Sequence, residues 1–182
     1  YGVTLFGPAF SDEALAVYGD QLHRALDLPL GATGRRGDPA HAAPPTPPAE
    51  PLLRVVVCGA HLSGLPLNHQ LTERGGRLVA QTRTAPRYRF YALPGGPPFR
   101  PGLIRQIEGG ASVEVEVWEL PAAQFGSFVA GIPAPLGIGT VELADGALEK
   151  GFICEGYAAE GARDITALGG WRAFLASIPA AP

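Results

Sequence analysis

The run Leu52-Leu-Arg-Val-Val-Val-Cys58 leads directly into Gly59-Ala-His-Leu-Ser-Gly64. The first part is short, apolar and rich in valine, as a buried strand is. The second is a loop flanked by glycines. A helix is expected from Leu67 to Arg74, stopped by Gly75-Gly76. A strand, a glycine-flanked loop and a helix in this order gather backbone N–H groups at one point, an arrangement that binds carboxylate or phosphate oxygens. His61 stands within that loop, where an imidazole can give or take a proton near neutral pH. Ser63 adds a hydroxyl, and Asn68 and Gln70 lie at the start of the helix. The glycine spacing is not that of a Walker loop, and Ser63 lacks the Gly-x-Ser-x-Gly frame of a nucleophile elbow. On the residues alone, a proton-transferring His61 and a loop histidine bonded to backbone carry equal weight.

Upstream, the pattern is that of a different unit. Residues 12–26 read as a helix, with Ser11 as N-cap and Asp12 and Glu13 at the positive end of its dipole. Leu15, Tyr18, Leu22 and Ala25/Leu26 recur on one face. Leu28–Gly34 is a loop. Arg35–Pro51 carries Pro39, Pro44, Pro45, Pro47, Pro48 and Pro51, which exclude a helix or a central strand and predict an extended linker. The expected organisation is a first unit over residues 1–34, a linker over 35–51 and a second unit over 52–178. The chain has no methionine and opens at Tyr1, so it is expected to be a piece of a longer protein.

Downstream, strands are expected at Arg77–Arg83, Arg87–Leu93, near Leu103–Ile107 and at Ser112–Leu120. The last alternates Val113, Val115 and Val117 with Glu114, Glu116 and Trp118. Pro121 opens a short helix to about Val129. Gly139–Leu143 and Ala147–Cys154 form a hairpin around Ala144–Gly146, and a final helix carries Trp171, Phe174 and Leu175. Strands and helices do not alternate strictly. The expectation is an α+β fold: a mixed, mostly antiparallel sheet or small barrel with a few short helices.

Glycine (25) and proline (19) are spread along a chain that is 46% hydrophobic, which makes it turn-rich and folded rather than disordered. No apolar run approaches membrane-spanning length. The net charge of −3 does not favour nucleic acid. From Arg74 to Arg105, however, seven arginines stand with no Asp or Glu among them, and such a block favours anions. Within it, Arg87, Tyr88 and Tyr91 lie close together; Arg can hold a carboxylate with two bonds and Tyr can add a third donor. Cys58 and Cys154, both in apolar runs, read as buried free thiols, which fits a reducing cytoplasm. His23, His41 and His69 are weaker candidates than His61. No His/Cys/Asp/Glu cluster has metal-ligand spacing, and neither metal nor cofactor is expected.

Several longer motifs stand in one order: His61-Leu-Ser-Gly-Leu-Pro-Leu-Asn-His-Gln-Leu71, Thr84-Ala-Pro-Arg-Tyr-Arg-Phe-Tyr-Ala-Leu-Pro94, Glu116-Val-Trp-Glu-Leu-Pro121, Ile132-Pro-Ala-Pro-Leu-Gly-Ile-Gly139, Gly151-Phe-Ile-Cys-Glu155 and Ala162-Arg-Asp-Ile-Thr166. With them, residues 52–177 resemble the C-terminal domain of allophanate hydrolases. Residues 1–34 resemble the end of the amidase-signature domain of the same enzymes. That domain's Ser–Ser–Lys triad has no counterpart here, since Lys150 is the only lysine.

The resemblance implies a γ-glutamyl cyclotransferase-like fold and a role in urea or cyanuric acid degradation. The substrate it implies is N-carboxycarbamate, a small dicarboxylate left by the amidase step and broken down toward carbamate and carbon dioxide. On this reading His61 transfers the proton. Gly59, Ala60, Leu62, Ser63, Gly64, Asn68, Gln70, Arg87, Tyr88 and Tyr91 hold the substrate. The amidase domain of the same polypeptide is the expected partner, along with a homodimer. Cyclotransferases use a strand-loop resembling Cys58–Leu62 together with a downstream glutamate. Here the region after Leu120 is Ala- and Gly-rich with no clear counterpart of that glutamate, which counts against cyclotransferase chemistry. Two alternatives remain at this point: an inactive dimerisation or substrate-sheltering module, and a γ-glutamyl cyclotransferase-like enzyme.

Overall fold

The computed structural model describes residues 2–8, 11–29, 31–36, 50–95 and 99–178. Its valine-rich run is strand β1 (Leu52–Val57), the middle strand of a five-stranded sheet. Only the second half of β1 is buried: Val55, Val56 and Val57 are in the core, whereas Leu52, Leu53 and Arg54 are exposed. On one side β1 runs antiparallel to β5 (Glu114–Pro121), from Leu52 opposite Pro121 to Val57 opposite Glu116. On the other it runs parallel to β7 (Leu148–Cys154), with Val56 opposite Gly151. Beyond β5 lies β2 (Arg77–Arg83), and beyond β7 lies its hairpin partner β6 (Leu136–Glu142). A second, three-stranded sheet has the order β4-β3-β8, from β3 (Tyr88–Leu93), β4 (Arg100–Arg105) and β8 (Arg163–Asp164).

The sheet was expected to be open or closed into a small barrel, and it is open. Its two edge strands nevertheless meet at one end. Thr84, just past β2, bridges Leu143, just past β6, and the N–H groups of Ala85 and Ala144 donate to the carbonyls of Glu142 and Arg83, both at 2.9 Å. The core draws Val55–Val57 from β1, Val113, Val115 and Val117 from β5 and the residue before it, Tyr88, Phe90 and Leu103 from the second sheet, and Trp171 and Phe174 from the final helix.

The helices of this region are α2 (His69–Thr72), α3 (Ala122–Ala130) and α4 (Trp171–Ser177). α2 is shorter than the sequence predicts, because the chain from Gly59 to Asn68 is taken up by successive turns: the N–H of Leu65 donates to Leu62 and that of Leu67 to Ala60. The expected stop holds, with Gly75 at φ +73 and the Gly76 N–H on the Leu71 carbonyl. β4 starts earlier than predicted and includes Pro101; it is an edge strand, where a missing N–H costs no ladder bond. In β5 the alternation misleads. Val113, Val115 and Val117 are buried as expected, but Glu116 and Trp118 on the opposite face are buried too, because β5 lies inside the sheet and both its faces are covered.

The chain divides into two compact units, Tyr1–Ala49 and Glu50–Pro182. In the first, α1 spans Asp12–Leu26 as expected. Ser11 is not its side-chain cap: the hydroxyl donates instead to the Pro8 carbonyl at 2.6 Å. The expected apolar face is largely exposed, with Tyr18 at 54% and Leu26 at 53%, and Val17 is the buried residue of the helix. Most of the proline-rich stretch, residues 37–49 with His41, lies outside the described residues.

Candidate functional site

β1 ends by delivering Cys58, Gly59, Ala60 and His61 to the wall of a cavity of about 440 Å³. Gly59 has to be glycine for a packing reason: a Cβ there would meet Cγ of Pro101 at 2.5 Å. After His61 the chain turns inward. The N–H of Leu62 bonds back to the Gly59 carbonyl, and the Leu62 side chain is fully buried. Ser63 directs its N–H and hydroxyl to the buried Glu116 carboxylate, at 2.8 and 3.0 Å. Gly64, at φ +78, completes the turn.

The His61 ring is held on three sides. It stacks on Phe152 of β7 with centroids 5.0 Å apart and meets the edge of Phe128 of α3 at 5.3 Å. Its Nε2 lies 3.0 Å from Oε1 of Gln70 on α2. With that oxygen accepting, Nε2 carries the proton and Nδ1 is the titrating nitrogen. The His61 carbonyl accepts from the Asn68 side-chain amide at 2.9 Å. Burial lowers the His61 pKa below the ordinary imidazole value; the bond to Gln70 opposes that shift and nearby His69 adds to it. Cys58, also in the cavity wall, is pushed up to about 12 by burial and the neighbouring Cys154, so it stands as the protonated thiol, a poor nucleophile, near neutral pH.

Of the residues singled out in the sequence, the fold brings Gly59, Ala60, His61 and Gln70 together on the cavity wall. Leu62, Ser63, Gly64 and Asn68 belong to the same turn but are not part of the lining; Leu62 and Ser63 commit their N–H groups inward rather than to a ligand. The expected opposite wall of Arg87 and Tyr91 is replaced by Phe99, Arg100 and Pro101. Arg87 is exposed just ahead of β3. Tyr88 is fully buried, and its hydroxyl accepts the Glu142 N–H at 2.8 Å. Tyr91 pairs with Gly102 and Asp164 inside the second sheet. Strand alternation explains this, since Tyr88 and Phe90 turn into the core and the neighbours of Phe90 turn away.

Arg100 is the one charged side chain among the residues lining the cavity. The arginine block contains it, but the sequence offers no reason to prefer it to its neighbours. Phe128 and Phe152 were equally hidden, because they reach the site from elements distant in the chain. Among the described residues, no group of three His, Cys, Asp or Glu side chains could hold a metal ion, and no helix is long and apolar enough to cross a membrane. The arrangement is a mostly apolar cavity with one cation, one imidazole that is neutral near pH 7, and one amide to orient it.

The family model of the allophanate hydrolase C-terminal domain matches residues 53–176. The urea amidolyase of Saccharomyces cerevisiae is 40% identical over 96% of the chain, which spans about a tenth (10%) of that relative. The crystal structure of the Kluyveromyces lactis urea amidolyase matches 96% of the chain, and 11% of its own length, at 34% identity and a TM-score of 0.70. That of a uropathogenic E. coli-specific protein matches 70% of the chain and 98% of its own, at 38% identity and a TM-score of 0.65.

Proposed function

The chain belongs to the family of allophanate hydrolase C-terminal domains, and from that premise we propose that its second unit breaks down N-carboxycarbamate toward carbamate and carbon dioxide. The substrate is the product of an amidase step, and we assign that step to an amidase domain of the same longer polypeptide, with residues 1–34 as its end. Urea or cyanuric acid breakdown in a reducing cytoplasm is the setting that accords with the family and with two unpaired, buried thiols.

The chemistry follows from the substrate. N-carboxycarbamate carries two carboxylates on one nitrogen. When the bond between nitrogen and one carboxyl carbon breaks, the electron pair stays on nitrogen and that carboxylate leaves as carbon dioxide. A proton must reach the nitrogen, and the product is then carbamate. The site therefore needs a cation for the carboxylates and an acid for the nitrogen. Arg100 takes the first role, together with backbone of the Gly59–Ala60 turn. His61 takes the second. Its lowered pKa leaves it neutral when the cavity is empty, but a bound dianion favours the imidazolium, so substrate and proton arrive together. The apolar walls strengthen both interactions by excluding water. General acid catalysis of this kind contributes roughly 10²–10⁴ in rate.

The single observation that carries this reading is a half-buried histidine, oriented by Gln70 at 3.0 Å, in one cavity with Arg100. The test is His61→Asn in the full-length enzyme, which keeps size and polarity but removes the titrating proton. Second-step turnover is expected to fall roughly a hundredfold or more, with first-step ammonia release unchanged. Wild-type rates for both steps would overturn the assignment and leave the domain as a holding module.

A further inference from the structure

Glu116 is fully buried, yet it does not line the cavity. Its two oxygens are occupied by protein donors. Oε2 accepts the Ser63 N–H at 2.8 Å, the Ser63 hydroxyl at 3.0 Å and the Trp118 indole N–H at 3.0 Å. Oε1 accepts Arg172 at 2.8 Å and Gln81 at 3.2 Å. Arg172, from α4, also donates to the Ser63 carbonyl at 2.9 Å and to Glu114 at 2.8 Å. Every polar group of Ser63 is thus gripped by a carboxylate from β5 or a guanidinium from α4. Replacing a buried ion pair by apolar side chains of similar volume is often neutral or stabilising, so stability alone does not account for such a cluster. Its position suggests what does. Ser63 is two residues past His61, and the fully buried Leu62 lies between them. On the far side of the ring, Asn68 and Gln70 hold the His61 carbonyl and Nε2.

We infer that Glu116, with Arg172, is a positioning residue: gripping Ser63, it fixes the end of the Gly59–Gly64 turn so that His61 stays against Phe152 and within reach of Gln70. This rests on the reading of His61 as the acid of the site. Without the grip the turn would keep its entry from β1 but lose its exit, and the ring would lose the shielding that makes it a weak base. The titratable or charged groups around the ring are Cys58 and Arg100 in the cavity wall and His69 on α2. None of them contacts Glu116, so a change in His61 on altering Glu116 would report the turn.

The experiment follows the His61 ring by NMR titration in the whole 182-residue chain, together with malonate binding and a thermal melt, in Glu116→Ala, Glu116→Gln and Ser63→Ala. Glu116→Ala should move the His61 pKa up toward the ordinary value of about 6.5. It should also weaken malonate binding roughly tenfold or more, the scale of one lost charge-assisted bond. The other two variants should shift both quantities in the same direction by less. Should Glu116→Ala fail to fold, these milder variants carry the test. Folded variants with a wild-type His61 titration would overturn the inference. A moved titration with unaltered second-step turnover in the full-length enzyme would uphold it and overturn the catalytic role of His61 instead.

Discussion

At the scale of the residue, the role proposed for His61 couples ligand binding to protonation. Its pKa in the fold lies below that of the unfolded chain, chiefly because the ring is buried. Between the two values the unfolded chain binds more protons, so the stability that comes from keeping the ring neutral is complete above about pH 6.5 and is lost as the pH falls below it. A dianion in the cavity acts the other way, by favouring the imidazolium. Malonate binding should therefore take up a proton and tighten as the pH is lowered from about 8 to about 6.5. Calorimetry in buffers of different ionisation enthalpy reads this directly. A flat affinity profile, or an equal slope in His61→Asn, would contradict it. Glu116 behaves oppositely. Burial pushes its pKa up, but the bonds from Ser63, Arg172 and Trp118 outweigh that and hold it below the usual carboxylate value. Its contribution is present above the unfolded carboxylate pKa and is lost as the solution is acidified through the lower, folded one. His61 and Gln70 were legible as candidates because they lie nine residues apart, on a glycine-flanked turn and the helix that follows it. Arg100 was not, since an arginine block does not say which member faces a cavity.

At the scale of the element, the decisive contact is between the end of β1 and the start of β4. A Cβ on Gly59 would lie 2.5 and 2.7 Å from the Pro101 ring, and a proline ring anchored in a strand cannot swing aside. Gly59→Ala should destabilise the second unit by about 1–3 kcal/mol, the range for overpacking a filled site. A urea melt would read this as a lower midpoint at unchanged slope; an unshifted midpoint would mean that β4 gives way easily. Strand positions were largely legible, because β2, β3, β5 and the β6–β7 hairpin follow apolar patterning and glycine turns. Burial of β5 on both faces was not. Alternation predicts one wet face, and only the neighbours β1 and β2, together with the network around Arg172, decide that Glu116 and Trp118 are covered.

At the scale of the whole molecule, the second unit holds its own core: the buried apolar cluster comes entirely from residues beyond Leu53. The first unit buries one apolar side chain of its helix, Val17, and leaves Phe6 at 90% and Tyr18 at 54% exposed. Removing residues 1–45 should therefore leave the melting temperature of the remainder within a few degrees of the parent's, since little apolar burial is lost. A fall of many degrees would show that the first unit is integral to the second.

The sequence alone determined where the two units divide in composition, most of the strands, the turn that carries His61 and the family. Each of these rests on local pattern: valine runs, glycine stops, proline density and ordered motifs. The tertiary structure alone decided that the sheet stays open, that Phe99–Pro101 rather than Arg87 and Tyr91 form the second wall, and that Glu116 grips Ser63. The physical reason is separation along the chain. The side chains that surround His61 come from β4, α3 and β7, and those that hold its turn come from β5 and α4, 53 and 109 residues beyond Ser63. Only the packing of strands and helices in three dimensions brings them to one place.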